Sequence, residues 1–200
     1  IIMWDNLRDK KTGLLRHAWD ESRTAPWADK ETGLSGFVWD RAIGWYAAGI
    51  MEMYEAAPKK HKSIPRIREI IKELFENIIK YQAACGRWYQ LVDRAYDPRN
   101  WIDNSGTLLI LYAMAKAVKN GAIDTSYTEN IMRGYKDVIE NSTVITDDDF
   151  KILDICMGTC VGETAEFYYY RHRIVNEWHG TGGFLMMCAE IDAMQKEINN

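Results

Sequence analysis

The sequence predicts an all-α fold, and three observations carry that prediction. Apolar residues recur at helical spacing over several long stretches, the segments between them are short and bear Gly, Asn, Asp or Pro, and strand signals are weak, with Thr143 to Thr146 the best of them. Short connectors of this kind join helices as antiparallel hairpins. Several stretches are apolar on more than one face, as expected of helices packed on both sides, and a layered ring of helix pairs fits that pattern.

Taken in order, the first predicted helix runs from Arg41 to Ala56, with Asp40 placed to cap its free backbone donors and Pro58 preventing continuation. The second spans Arg66 to Gln82, where Ile67, Ile70, Ile71, Leu74, Phe75, Ile78 and Ile79 follow the i, i+3, i+4, i+7 rule. Pro65 precedes it, where a missing donor costs nothing, and Gly86 is the expected C-terminal stop. Further helices are predicted from Ser105 to Lys119, from Tyr127 to Ile139 and from Gly182 to Ile198. Two connectors are long: Thr12 to Val38 holds two Trp, a His and several carboxylates, and Met157 to Thr181 is rich in Gly, Tyr and charged groups. Long loops inside a compact domain are often functional. No repeat of fixed period is readable, so residues 1–200 read as one unit without an internal linker.

Composition narrows the function. With 47% hydrophobic and 27% charged residues the chain has the balance of a soluble globular protein, and eight Trp with eleven Tyr supply either a core or a carbohydrate-binding surface. Its 25 basic and 29 acidic residues are mixed along the chain, which leaves no electrostatic footprint for nucleic acid. No apolar stretch reaches the ~20 residues needed to span a bilayer, and no charged-then-apolar leader opens the chain, so no membrane partner is expected. Cys85, Cys156, Cys160 and Cys188 show no CxxC spacing and read as reduced thiols, which tilts the expected compartment toward the cytoplasm. His17, His61, His172 and His179 form neither HxH nor HExxH, so neither a metal nor another cofactor is expected.

Three constellations carry chemistry. In Trp39-Asp40-Arg41-Ala42-Ile43-Gly44-Trp45, Arg41 and Trp45 share one helical face with Trp39 at its entrance, an arrangement suited to an anionic ring. The guanidinium fork matches a carboxylate, for ~1.5 to 3 kcal/mol when desolvated, and the indoles offer flat faces to a sugar. On that reading Arg41→Ala costs ligand affinity more than it costs folding. The alternative is a Trp-lined core with Arg41 paired to a structural carboxylate. In Thr12 to Ser22, His17 is placed to contact a ligand hydroxyl or carboxylate, although a single loop histidine is commonly satisfied locally. In Asn176 to Gly183, His179 lies among polar groups that precede an apolar helix, which equally describes a glycine-rich helix entrance. Asp93, Asp97, Asp103, Glu163 and Glu166 are available for acid and base work, yet their spacing pairs none of them. No catalytic residue is assigned.

These constellations occur in an order that resembles the unsaturated rhamnogalacturonyl hydrolases of glycoside hydrolase family 105. The run TGLxxHxWDES is similar to Thr12 to Ser22, WxRGNGW to Trp39 to Trp45, VGxxxxYxxR to Val161 to Arg171, and NDLHGxGAF to Asn176 to Phe184. Similarity also covers Gly86 to Asp93 and Asn100 to Thr107, and so extends over nearly the whole chain. The resemblance implies an (α/α)6 barrel, a toroid of six hairpins, whose pocket receives a 4,5-unsaturated uronic acid on an oligosaccharide derived from pectin or rhamnogalacturonan. In it Arg41 would hold the uronate carboxylate or ring oxygens, Trp39 and Trp45 would frame the ring, and His17 would make one hydrogen bond. The reaction the resemblance implies is one in which an acid protonates C4 of the C4=C5 double bond, water adds at C5, and the hemiketal opens to expel the remaining sugar. Asp40, Ala42 and Ile43 depart from the commonest family motif. The aspartate that acts as acid and base in the family, with a second beside it, comes from helices preceding the region matched by Ile1. Fewer helices are legible than six hairpins require, so the chain looks like roughly the C-terminal half of one domain, completed by an N-terminal half chain or truncated. Two other readings stand beside the hydrolase: a non-catalytic carbohydrate-binding or structural fragment, and an (α/α)6 sugar epimerase with His17 or His179 as base.

Overall fold

The computed structural model describes residues 1–199. Its helices are α1 (Ile2–Leu7), α2 (Asp40–Ala56), α3 (Ile64–Ile78), α4 (Asn104–Lys119), α5 (Thr128–Asn141), α6 (Ala165–Tyr169) and α7 (Trp178–Ile198). Two small antiparallel pairs accompany them: β1 (Thr143–Ile145) with β2 (Phe150–Ile152), and β3 (Ile155–Cys156) with β4 (Arg173–Ile174).

Helix α4 is buried on every side from Asn104 to Val118, as an all-round apolar sequence requires, and it lies between α2 and α7. The three run parallel. Near their N-termini Gly44 of α2 meets α4, where an added Cβ would lie 2.8 Å from Leu109 Cβ and 3.1 Å from the Gly106 carbonyl. Toward their C-termini Lys116 Nζ of α4 reaches Glu52 and Glu55 of α2, each at 2.7 Å, and Glu190 of α7 at 3.9 Å. Helices α3 and α5 are amphipathic and form an outer layer, α3 against α2 and α5 against α4. The result is an arc of hairpins with α2, α4 and α7 as its inner wall, in line with the expected ring of helix pairs.

Several boundaries differ from expectation. Helix α3 stops at Ile78 and passes into a 3-10 turn ending at Tyr81, so Gly86 does not terminate it. Gly86 instead takes φ +92° in the tight turn where the Ala83 N–H donates to the Arg87 carbonyl, and that turn packs on Gly134 of α5. Pro65 lies inside the first turn of α3 rather than ahead of it. Asp40 is the first residue of α2, not its cap, and its carboxylate accepts the neighbouring Arg41 N–H at 2.7 Å. Helix α7 starts at Trp178 because the Glu177 carboxylate accepts the His179 N–H at 2.8 Å, fixing the entrance ahead of the apolar run. The 157–181 segment contains α6 and β4, elements too short to show a period.

A local repeat is also present. Asp9-Lys10-Lys11-Thr12-Gly13-Leu14 and Asp29-Lys30-Glu31-Thr32-Gly33-Leu34 fold into the same turn: each Asp accepts two backbone N–H groups, and each glycine has positive φ. Both turns lead into the extended segments that carry His17 and Trp39. All four cysteines are free. Among the described residues no helix is long and apolar enough to cross a membrane.

Candidate functional site

Two extended segments begin the site. The His17 N–H donates to the Phe37 carbonyl at 2.9 Å and the Ser35 N–H to the Ala18 carbonyl at 2.9 Å, which aligns the two segments. Trp39 ends the second with extended backbone (φ −100°, ψ 125°), and the chain then turns into α2. This alignment puts the His17 and Trp39 rings 4.5 Å apart between centroids, while Arg41 Cζ stands 4.5 Å from the Trp39 ring. Helix α6, capped by the Thr164 hydroxyl, brings Tyr168 into the same cluster, its hydroxyl 2.7 Å from His17 Nδ1. Gln90 Nε2 donates to the Tyr168 carbonyl at 2.7 Å and holds α6 there.

Arg41 is 2% exposed and tied into the protein. Its Nη1 donates to the Cys156 carbonyl at 2.5 Å and to Ser105 Oγ at 3.2 Å, and its Nη2 donates to the Met157 carbonyl at 2.8 Å. Asp103 caps α4, accepting the Ser105 N–H at 2.9 Å and the Cys156 N–H at 3.0 Å. Burial pushes the Asp40 and Asp103 carboxyls upward, and Asp40 is raised further by facing Asp103. Burial lowers the His17 ring to about 4, assisted by the Arg41 charge, so the imidazole is neutral at physiological pH. The Trp39 indole N–H is buried and has no acceptor among the described residues. A buried donor without a partner is uncommon in a folded protein.

The predicted residues therefore do not form one cluster. His17, Trp39 and Arg41 come together. Trp45, one turn beyond Arg41 on α2, is 50% exposed and shares with His17 the wall of a largely apolar cleft of about 490 Å³, which Met3, Leu7, Tyr46 and Met53 also line. His179 stands apart at the start of α7, where its Nδ1 lies 2.7 Å from Glu177. The carboxylates considered for catalysis are largely engaged elsewhere: Asp97 and Glu166 both pair with Arg99, and Asp103 is buried at its cap. Among the described residues no group of three or more His, Cys, Asp or Glu is arranged to hold a metal. Neither Tyr168 nor Gln90 was among the predicted site residues; the sequence signs of Tyr168 are its place as the Tyr of the YxxR that ends on Arg171, in a run already likened to the family, and the length of that connector.

A model of Glycosyl Hydrolase Family 88 matches residues 1–195. The solved structure of a glycoside hydrolase from family 105 of C. acetobutylicum superposes with a TM-score of 0.92 at 34% identity, over 96% of this chain and 55% of that one. The unsaturated rhamnogalacturonyl hydrolase YesR of Bacillus subtilis is 25% identical over 195 residues, 97% of this chain and 51% of its own length. Protein Atu3128 of Agrobacterium fabrum is 31% identical over 111 residues, 56% of this chain and 47% of its own length. The chain thus spans about half the length of the curated relatives it matches.

Proposed function

The chain belongs to Glycosyl Hydrolase Family 88, with the expected likeness to family 105 and the six-hairpin helical toroid borne out, and from that premise we propose that it is the substrate-holding part of an unsaturated uronyl hydrolase. The substrate class is an oligosaccharide ending in a 4,5-unsaturated uronic acid, of the kind derived from pectin or rhamnogalacturonan. The observation that carries this reading is the cluster of a neutral His17, the Trp39 indole and the Arg41 guanidinium beside the cleft that His17 and Trp45 line. Such a cluster offers oriented donors and a positive charge to the oxygens of an acidic sugar.

In this reading His17 donates to a sugar oxygen and Trp39 backs the His17 ring. Arg41 acts chiefly through its charge, because its fork already serves Cys156 and Met157. Trp45 forms the open wall of the cleft beside His17, and His179, held by Glu177 at the start of α7, lies outside that cleft. None of these residues is the acid that protonates C4. In this reading it is supplied by an N-terminal half that completes the toroid. The test is the decay of ultraviolet absorbance of an unsaturated galacturonyl-rhamnose disaccharide exposed to the complete protein. Steady absorbance, with no free rhamnose formed, would sink the proposal.

A further inference from the structure

The hydrogen bond between His17 and Tyr168 fixes more than a ring position. Tyr168 is fully buried, and its hydroxyl oxygen accepts the Gly162 N–H at 3.0 Å. The phenolic proton must then find an acceptor, since a buried hydroxyl left without one is costly. Among the described residues the only group within hydrogen-bond reach that can accept it is His17 Nδ1, at 2.7 Å. A ring nitrogen that accepts carries no proton, so the proton of the neutral imidazole resides on Nε2.

We propose that Tyr168 is a positioning residue: its hydroxyl donates to His17 Nδ1 and so holds the ring as the Nε2–H tautomer, a fixed donor toward a substrate oxygen. The chain of donation runs one way, from Gly162 N–H to Tyr168 and from Tyr168 O–H to His17. Gln90 strengthens it by anchoring the Tyr168 backbone, and Arg41 nearby disfavours a second proton on the ring. One consequence separates the competing chemistries. With Nδ1 occupied and Nε2 already protonated, His17 is not equipped to abstract a proton, which removes it as the base of a sugar epimerase. Its role toward the uronide rests on the function proposed above, whereas the tautomer does not.

The test is a long-range proton to nitrogen-15 correlation spectrum of the protein labelled in its histidine rings, with a His17→Asn variant to identify the signals. A single species protonated at Nε2 is expected; a proton on Nδ1 would overturn the proposal. Tyr168→Phe removes the donor, so the ring should become a mixture of tautomers. KM for the unsaturated uronide should then rise about three- to tenfold, with kcat changed less. An unchanged single tautomer in the folded variant would also overturn it. If Tyr168→Phe does not fold, the spectrum of the unaltered protein still decides. Inactivity of the complete protein, with the expected tautomer present, would remove the hydrolase reading while supporting the role of Tyr168.

Discussion

Arg41 joins parts of the chain far apart in sequence, because its guanidinium bonds the Cys156 and Met157 carbonyls while its charge sits beside the buried Asp40 and Asp103. Removing one member of a buried charged network leaves the others without compensation, typically at about 3 to 5 kcal/mol. Arg41→Ala is therefore expected to lower the urea midpoint sharply, and not merely to reduce affinity as the sequence alone suggests. A variant with wild-type stability would show that Asp40 and Asp103 do not need the guanidinium. His17 makes a separate prediction. Its ring titrates near 4 in the fold and near 6.5 when unfolded, so between those values the unfolded state binds more protons. Stability contributed by the neutral ring is present above about pH 6.5 and declines as pH falls toward 4, by on the order of 3 kcal/mol. His17→Gln should flatten that part of the stability profile relative to the unaltered protein, and an identical slope in both would contradict the depressed ring.

At the scale of elements, α3 and α5 were legible because each buries one stripe, whereas α1 and α6 have too few residues to show a period. The ends of helices were harder to read. Gly86 looked like a stop because glycine often ends helices, yet it serves a turn that requires positive φ and a close approach to Gly134. An added Cβ at Gly134 would clash with the Gly86 carbonyl and lie 2.9 Å from Leu111 Cδ2. Gly134→Ala should thus cost about 1 to 3 kcal/mol by overpacking, read from chemical denaturation. A loss of only a few tenths would mean that the turn yields freely. The site was legible in part for the same reason: His17, Trp39 and Arg41 sit on runs with recognisable neighbours. Tyr168 lies in a recognisable run too, but it enters from a five-residue helix more than a hundred residues away, and nothing local announces its contact with His17.

At the scale of the whole molecule, the two edges of the arc share a feature. Along α2, Trp45, Gly49 and Met53 are exposed at four-residue spacing, and along α7 the same is true of Trp178, Gly182, Leu185 and Ala189 at three- or four-residue steps. Small and apolar residues in a stripe suit close helix packing, and exposed apolar area of this kind marks an interaction surface. These stripes are the faces on which further helices of a toroid would pack. The most direct measurement follows the loss of ultraviolet absorbance of an unsaturated galacturonyl-rhamnose disaccharide with this chain alone and with a separately produced N-terminal half added. Loss of absorbance only in the combined sample is the predicted result, because substrate contacts and acid then meet in one toroid. Equal activity from the chain alone would contradict the account, since the acid would have to lie among these 200 residues.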